Sequence, residues 1–370
     1  MKKYKYIHLF WFNELKFSGS IVRMINNIDN GFNLDDHLFV TFFEEVYSEL
    51  NNYPNVLLVE KQPEADVLKT FEPWCDWLFS HGLTESKFQS LMIRRKIIQK
   101  VIWRTWGGGR QKSRWSFVHP ISIIKTKIGD IAYFLYMKSV FGRSCAVGIA
   151  NIVDRIDIGQ WGWISQEKLF LLSYPIEGLD EIVREIESKG LIHRDNMKRI
   201  IVGHQANRGE NHLEIVKKLL RYRDPSLTIY IPLSYGNLDY MRELKEQLNE
   251  LNDSRIVIID QFLPIKEYIE LLASVDIAII DEISSMALGN LTYLIYFKKK
   301  IFLNSKGVLK RAFDKEKLPY LTTDKLSGMS YSEFLMPVDY STDFVSDMSL
   351  KTYQRSVQTW KDMIAWLDKK

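Results

Sequence analysis

Cysteine is scarce in this sequence, and what is missing narrows the field first. Cys75 and Cys145 are the only two cysteines among 370 residues. Two are too few for a disulfide framework, and no companion ligands for a structural zinc site accompany them, a pattern suited to a reducing cytoplasm. Long apolar runs are lacking too. Stretches such as Ile131 to Tyr136 and Val275 to Ile280 fall far short of the roughly 20 residues needed to cross a bilayer. The charged start, Met1-Lys2-Lys3, leads into an apolar run too short for a signal peptide, with no small-residue cleavage site after it, so secretion is not expected. Gly-x-Gly-x-x-Gly, a Walker loop, His-Glu-x-x-His and Asp-x-Asp are all absent, which removes the common nucleotide-cofactor and metal signatures. Neither a metal nor a cofactor is expected. No Gly/Ser, Pro-rich or Gln-rich tract occurs, so the whole chain is expected to fold.

What is present is an alternation of short apolar runs with amphipathic stretches. Tyr4 to Phe10 reads as a strand, Phe17-Ser18-Gly19-Ser20 as a loop and Ile21 to Ile28 as a helix. Further strands are expected at His37 to Phe42, Asn55 to Val59, Trp77 to Ser80 and Val101 to Trp106. A second series opens at Lys198 with the strand Arg199 to Val202. It continues through strands at Leu227 to Pro232, Arg255 to Ile259, Val275 to Ile280 and Lys300 to Asn304, with helices between them. Such alternation predicts parallel sheets covered by helices. The expectation is an α/β protein of two Rossmann-like domains facing across a cleft. The boundaries are 1–180 for an N-terminal acceptor domain and 181–345 for a C-terminal nucleotide-binding domain, with a linker near 174–190. A final helical segment, 346–370, carries Trp360, Ile364 and Trp366 and is expected to pack back on the N-terminal domain.

Three loops carry candidate chemistry. Gly203-His204-Gln205-Ala206-Asn207-Arg208-Gly209-Glu210-Asn211 follows a buried strand and enters a helix. Glycine permits the tight turn, the helix start offers N–H groups to a diphosphate, and Arg208 offers a counter-charge; a plain turn capped by Asn211 is the alternative. Asp281 to Leu291 leaves another strand, where open α/β sheets bind ligands. Small residues there admit a phosphate near Gly289, Asn290 and Leu291, and Asp281 or Glu282 would accept from sugar hydroxyls; an ordinary loop would look the same. Trp106-Gly107, within Trp103 to Arg110, offers a stacking face and close backbone approach on the acceptor side. His81, ending the Trp77 to Ser80 strand, is the candidate base for an acceptor hydroxyl.

Charge is unevenly spread. From Arg94 to Arg143 the chain carries many Lys and Arg against the single acid Asp130, interleaved with Trp103, Trp106, Trp115, Phe117, Tyr133, Phe134, Tyr136 and Phe141. That mixture suits docking on an anionic membrane surface. Solvated helix faces and nucleic acid are the alternatives, and no nucleic-acid-binding signature supports the latter.

The second half resembles GT-B glycosyltransferases. Gln261-Phe262-Leu263-Pro264 looks like the turn that meets the donor base in that group, and Ala273-Ser274-Val275-Asp276 like its following strand entry. More narrowly, several motifs resemble the TDP-N-acetylfucosamine:lipid II N-acetylfucosaminyltransferases. These are Trp103-x-x-Trp106-Gly107, His81-Gly82, Val202-Gly203-x-x-x-x-Arg208-x-x-Asn211-His212, Ile231 to Gly236 with Tyr235-Gly236, and Leu321 to Leu326. The resemblance is nearly continuous from Lys198 to Leu326 and patchy before it. It implies metal-independent transfer of a dideoxy-acetamido sugar from a dTDP- or UDP-linked donor to an undecaprenyl-diphosphate-linked saccharide, at the cytoplasmic face of a bacterial membrane, in surface polysaccharide biosynthesis. In that reading Tyr235, Gly236, Phe262 and Leu263 bound the nucleotide. Two departures stand out: Gly108-Gly109-Arg110 replaces an acid the family shows after its Trp-Gly, and Thr292-Tyr293-Leu294 lacks the ribose-binding glutamate of many GT-B enzymes. A GT-B-shaped pyruvyl transferase and a membrane-bound scaffold are the other readings.

Overall fold

The computed structural model describes residues 2–82, 99–104, 145–149, 165–172, 174–175, 179–188, 197–284, 286–340 and 353–370. Most of the basic and aromatic stretch, Trp106 and Gly107 included, lies outside the described residues. The chain forms two compact units, Met1–Glu177 with Thr352–Lys370, and Gly178–Lys351.

The first unit runs β1 (Tyr4–Phe10), α1 (Leu15–Asn26), β2 (His37–Thr41), α2 (Glu44–Leu50), β3 (Val56–Leu58), α3 (Glu64–Phe71), β4 (Cys75–His81), β5 (Val101–Arg104), β6 (Ala146–Ile149) and β7 (Leu169–Leu171). All pair in parallel in the order β3-β2-β1-β4-β5-β6-β7. Strands buried on both faces read as continuous apolar runs, and in β1 alternate residues serve different layers. Ile7 and Leu9 pack with Val67, Leu68 and Phe71 of α3, whereas Tyr6 and Phe10 pack with Ile21, Val22 and Ile25 of α1. Strands β6 and β7, four and three residues long, are too short to show as periodic runs.

The second unit holds α4 (Leu179–Ser188), β8 (Lys198–Val202), α5 (His212–Leu220), β9 (Leu227–Pro232), α6 (Leu238–Glu250), β10 (Ile256–Ile259), α7 (Ile265–Ser274), β11 (Ile277–Ile280), α8 (Leu288–Tyr296), β12 (Lys300–Leu303), α9 (Val308–Glu316), β13 (Leu321–Thr322) and α10 (Tyr331–Leu335). Its six parallel strands run β10-β9-β8-β11-β12-β13. The order reverses between β8 and β11, which is where open sheets of this kind present a ligand crevice.

Three segments differ from the sequence expectation. Phe17-Ser18-Gly19-Ser20, expected as a loop before a helix from Ile21 to Ile28, lies inside α1, whose apolar face carries Ile21, Val22 and Ile25. The stretch expected as a linker contains α4, because Leu179, Ile182, Val183 and Ile186 recur at helical spacing; Glu185 of α4 pairs with Lys266 of α7 at 2.7 Å, and Tyr296 of α8 donates to Glu187 at 2.6 Å. Val275 ends α7, its N–H bonding Leu271 O, instead of opening β11. The last helix, α11 (Tyr353–Leu367), belongs to the first unit. Its buried stripe of Ser356, Trp360, Met363 and Leu367 lies on the Tyr6, Phe10, Phe39 and Phe79 layer, as expected of a helix packing back on that domain.

Candidate active site

The carboxyl edge of the second sheet is built from loops that cross-brace one another. Gly203 leaves β8 with φ +72°, a left-handed conformation that favours glycine. Packing makes the same demand, since a Cβ there would lie 2.1 Å from Glu210 Oε2 and 2.2 Å from His212 Nε2. The chain then turns so that the N–H of His204 donates to Glu210 Oε2 at 2.7 Å. His204 Nδ1 meets Glu210 Oε1, and His212 Nε2 stands 3.3 Å from Oε2. Glu210 and His212 are fully buried. Burial alone would push the Glu210 carboxyl up, but hydrogen bonds from His204 and His212 outweigh it and hold the group below its ordinary value. The sequence reading did not single out Glu210; an acid flanked by histidines six residues before and two after is the signal that marked it.

Two neighbouring loops are tied to this one. Ala206 N donates to Tyr235 O and Asn237 N to Ala206 O, both at 2.8 Å, and Gly236 sits at φ +113° with space for a Cβ closed by Ala206 O at 2.6 Å. Across the switch point, Asn211 Nδ2 donates to Asp281 Oδ2 at 2.7 Å, and Asn207 Nδ2 to Glu282 Oε2 at 2.8 Å. Asn304 and Thr323 donate to the other Asp281 oxygen, and Ser284 N to Glu282 Oε1 at 2.9 Å. Both acids are buried and brace the loops after β8 and β11. Asn211 does not cap α5 with its side chain, which Asp281 takes instead.

Helix α8 starts beside this brace. Its cap residue Ala287 is left-handed at φ 62° and makes no side-chain cap hydrogen bond. Gly289 is exposed, and a Cβ on it would meet nothing within 4 Å. Asn290 Nδ2 donates to Tyr268 OH at 2.6 Å, while Leu291 turns into the core. On the other side Tyr235 and Phe262 stack at 5.9 Å and 14°. They are 41% and 74% exposed, a large aromatic face left to solvent, with Leu263 partly buried next to it. Arg208 points elsewhere, pairing with Glu243 and lying 4.9 Å from the Tyr240 ring centroid.

In the first unit His81 is fully buried at the carboxyl end of β4. Its Nε2 lies 3.2 Å from His8 Nδ1, and His8 Nε2 lies 3.1 Å from His37 Nδ1, so three imidazoles form one chain across the sheet face. Phe79 stacks on His8, and Trp360 on His81. Burial, with His37 and His81 beside it, holds His8 well below the ordinary imidazole value. Burial, with Arg104 beside it, does the same to His81, and burial lowers His37 to about 3. The same burial disfavours the charged form that His81 would take on as a base. Trp103 and Arg104, read in the sequence as part of a surface stretch, are buried, with Arg104 4.0 Å from the Tyr174 ring centroid. Among the described residues no cluster of His, Cys, Asp and Glu is arranged to hold a metal ion. No helix among them is long and apolar enough to cross a membrane.

Residues 171–341 match the family model described as 4-alpha-L-fucosyltransferase glycosyl transferase group 56. No curated protein matches the chain in sequence. Among solved structures, Anabaena HepE in complex with UDP is similar with a TM-score of 0.59 at 10% identity, over 98% of this chain and 99% of that one. The N-terminal domain of Candida albicans trehalose-6-phosphate phosphatase gives 0.57 at 9%, over 98% and 97%. UDP-GlcNAc 2-epimerase from Neisseria meningitidis, bound to UDP-GlcNAc, gives 0.54 at 14%, over 99% and 100%. At such identities the likeness shows the fold, and a fold shared by an epimerase and a phosphatase domain does not by itself give the reaction.

Proposed function

From the premise that this chain is a glycosyltransferase of the GT-B fold, matched to group 56 over residues 171–341, we propose that its second unit binds a dTDP- or UDP-linked dideoxy-acetamido sugar. The sugar passes to a hydroxyl of an undecaprenyl-diphosphate-linked saccharide in bacterial surface polysaccharide biosynthesis. The observation that carries the reading is the braced carboxyl edge of the β8–β11 switch point. The first turn of α8, at Gly289 and Asn290, offers backbone N–H groups to a diphosphate, beside the exposed Tyr235–Phe262 face for a base. Donors fixed in place before reaction stabilise the negative charge that grows on the leaving diphosphate as the glycosidic bond breaks. Asp281 and Glu282 act as the scaffold of that edge, since their oxygens already accept from protein donors.

The acceptor and the location rest on the basic and aromatic composition of Arg94 to Arg143, which supports docking on an anionic leaflet where lipid-linked sugars are held. The deciding experiment incubates the purified chain with a panel of dTDP- and UDP-sugars and a synthetic undecaprenyl-diphosphate disaccharide, with product followed by mass spectrometry. Extension of the lipid-linked saccharide by one sugar is expected. Binding of phosphoenolpyruvate with no nucleotide binding would overturn the reading in favour of pyruvyl transfer. Flotation with anionic liposomes is expected to carry the protein upward at low salt and release it at high salt.

A further inference from the structure

Three buried imidazoles of the first unit are joined nitrogen to nitrogen, and the middle ring meets each neighbour through a different atom. His81 Nε2 lies 3.2 Å from His8 Nδ1, and His8 Nε2 lies 3.1 Å from His37 Nδ1. Each end of the chain therefore keeps one nitrogen, Nδ1 of His81 and Nε2 of His37. We propose that this chain is a proton relay, which carries the proton of the acceptor hydroxyl from the carboxyl edge of the first sheet to solvent during sugar transfer. Its use in catalysis rests on the transfer reaction proposed above; its conduction does not.

The two ends lie where such a relay needs them. The first sheet reverses its order between β1 and β4, and open α/β sheets present a ligand crevice at the carboxyl ends of the strands at such a point. His8 belongs to β1, and His81 is the last residue of β4. His81 Nδ1 is enclosed and has no hydrogen-bond partner among the described residues. A buried polar nitrogen left unmatched is costly, and an acceptor hydroxyl at that edge would match it. Arg104 of the neighbouring strand β5 acts on His81 by charge. At the other end His37 feels the charges of Asp368 and Lys5. These two pair at 2.9 Å with side chains 39% and 38% exposed, and Tyr6, which stacks on His37, donates to Asp368. The chain thus runs from the crevice edge to the protein surface.

Burial keeps all three rings neutral. A neutral imidazole has one N–H and one lone pair, so it accepts at one nitrogen while it donates at the other. With Nε2–H on every ring, the acceptor oxygen bonds the anomeric carbon and gives its proton to His81 Nδ1. The donor's C–O bond breaks and its electron pair leaves with the diphosphate. In step, His81 Nε2–H passes to His8 Nδ1, His8 Nε2–H to His37 Nδ1 and His37 Nε2–H to water. No ring keeps a charge, so the burial that disfavours a charged His81 does not oppose the transfer. After product leaves, the hops run backwards, with one proton entering at His37 and one leaving His81 Nδ1 for water. The rings are held in line by stacking: His8 lies 4.6 Å from Phe79 and 4.7 Å from Phe39, and Trp360 covers His81.

The first test uses the full chain without substrate, with 15N label in the histidine rings. Exchange of the His8 and His81 ring N–H protons with D2O is expected to be at least about tenfold faster in wild type than in His37→Phe, which keeps an aromatic ring but closes the solvent end. Equal rates overturn the relay. The second test measures turnover with the dTDP- or UDP-sugar that the donor panel identifies. His8→Phe keeps the stack, and His8→Gln can donate and accept but cannot pass a proton on. Both are expected to lower kcat about a hundredfold with the donor KM unchanged. Unchanged kcat in folded His8→Phe or His8→Gln overturns the catalytic use; should neither variant fold, His37→Phe carries the same measurement. Absence of transfer by wild type with every donor overturns the proposed reaction and the catalytic use with it, while the exchange rates still decide whether the chain conducts protons.

Discussion

At the residue scale, two glycines of the candidate site are glycine for opposite reasons. At Gly203 the protein leaves no room: Gly203→Ala places a methyl against the buried Glu210 and His212 in a left-handed backbone. Backbone strain of about 1 kcal/mol or more adds to displacement of a buried hydrogen-bonded acid, so urea unfolding of the second unit is expected to show a loss above about 2 kcal/mol. At Gly289 the protein leaves the space open. Alanine is the better helix former by roughly 0.5–1 kcal/mol, so Gly289→Ala is expected to raise stability slightly. The same variant should weaken UDP or dTDP binding, because the added methyl stands where the diphosphate would approach the start of α8. Higher stability with unchanged affinity would remove α8 from the phosphate site.

Among the elements, α11 matters most to the first unit. Trp360 is fully buried between Phe79 and the His8–His81 pair, far in sequence from everything it touches. Trp360→Ala removes the largest side chain of that layer, and large-to-small changes of this kind cost about 3–5 kcal/mol. The expected outcome is a lower denaturant midpoint for the first unit; a midpoint within experimental error of wild type would mean the helix is dispensable there. Helix α4 makes the complementary point. Its apolar residues recur at helical spacing, but its place is fixed by Glu185 meeting Lys266 and Glu187 meeting Tyr296.

For the whole molecule, the two units should respond differently to acid. His8, His37 and His81 are neutral in the folded first unit and take up protons on unfolding below their ordinary value near 6.5. Their stabilising contribution is complete above that pH and shrinks as pH falls toward the folded values. Each fully resisting group removes about 1.4 kcal/mol per pH unit, or roughly 4 kcal/mol for the trio. Against total stabilities of about 5–15 kcal/mol, a fall to pH 5 is a large perturbation. Glu210 in the second unit, held below its ordinary 4.5, loses its contribution only when pH drops under that value. All 10 tryptophans lie outside Gly178–Lys351, so tryptophan fluorescence reports the first unit alone. It is expected to lose its native signal at a higher pH than far-ultraviolet circular dichroism completes its transition. Coincident transitions would contradict this, and His8→Phe, which keeps the ring stack without the titrating group, is expected to flatten the first step.

The sequence by itself determined the alternation of strands and helices in both halves, the glycine turn after β8, and the last helix with Trp360 on it. Each of these is a local property, written in periodicity within a dozen residues or in a residue type that a turn requires. The family resemblance added the expected chemistry of the second half. Only the tertiary structure decided which polar groups are spent and which remain. Asn211 reaches Asp281 across 70 residues of sequence, and Asn30 reaches Tyr353 across 323. Glu210 carries the same letter as a surface glutamate, yet folding removes it from water and obliges two histidines to meet it. Burial and pairing of charge depend on which distant segments the sheet order brings together, and no local pattern encodes that.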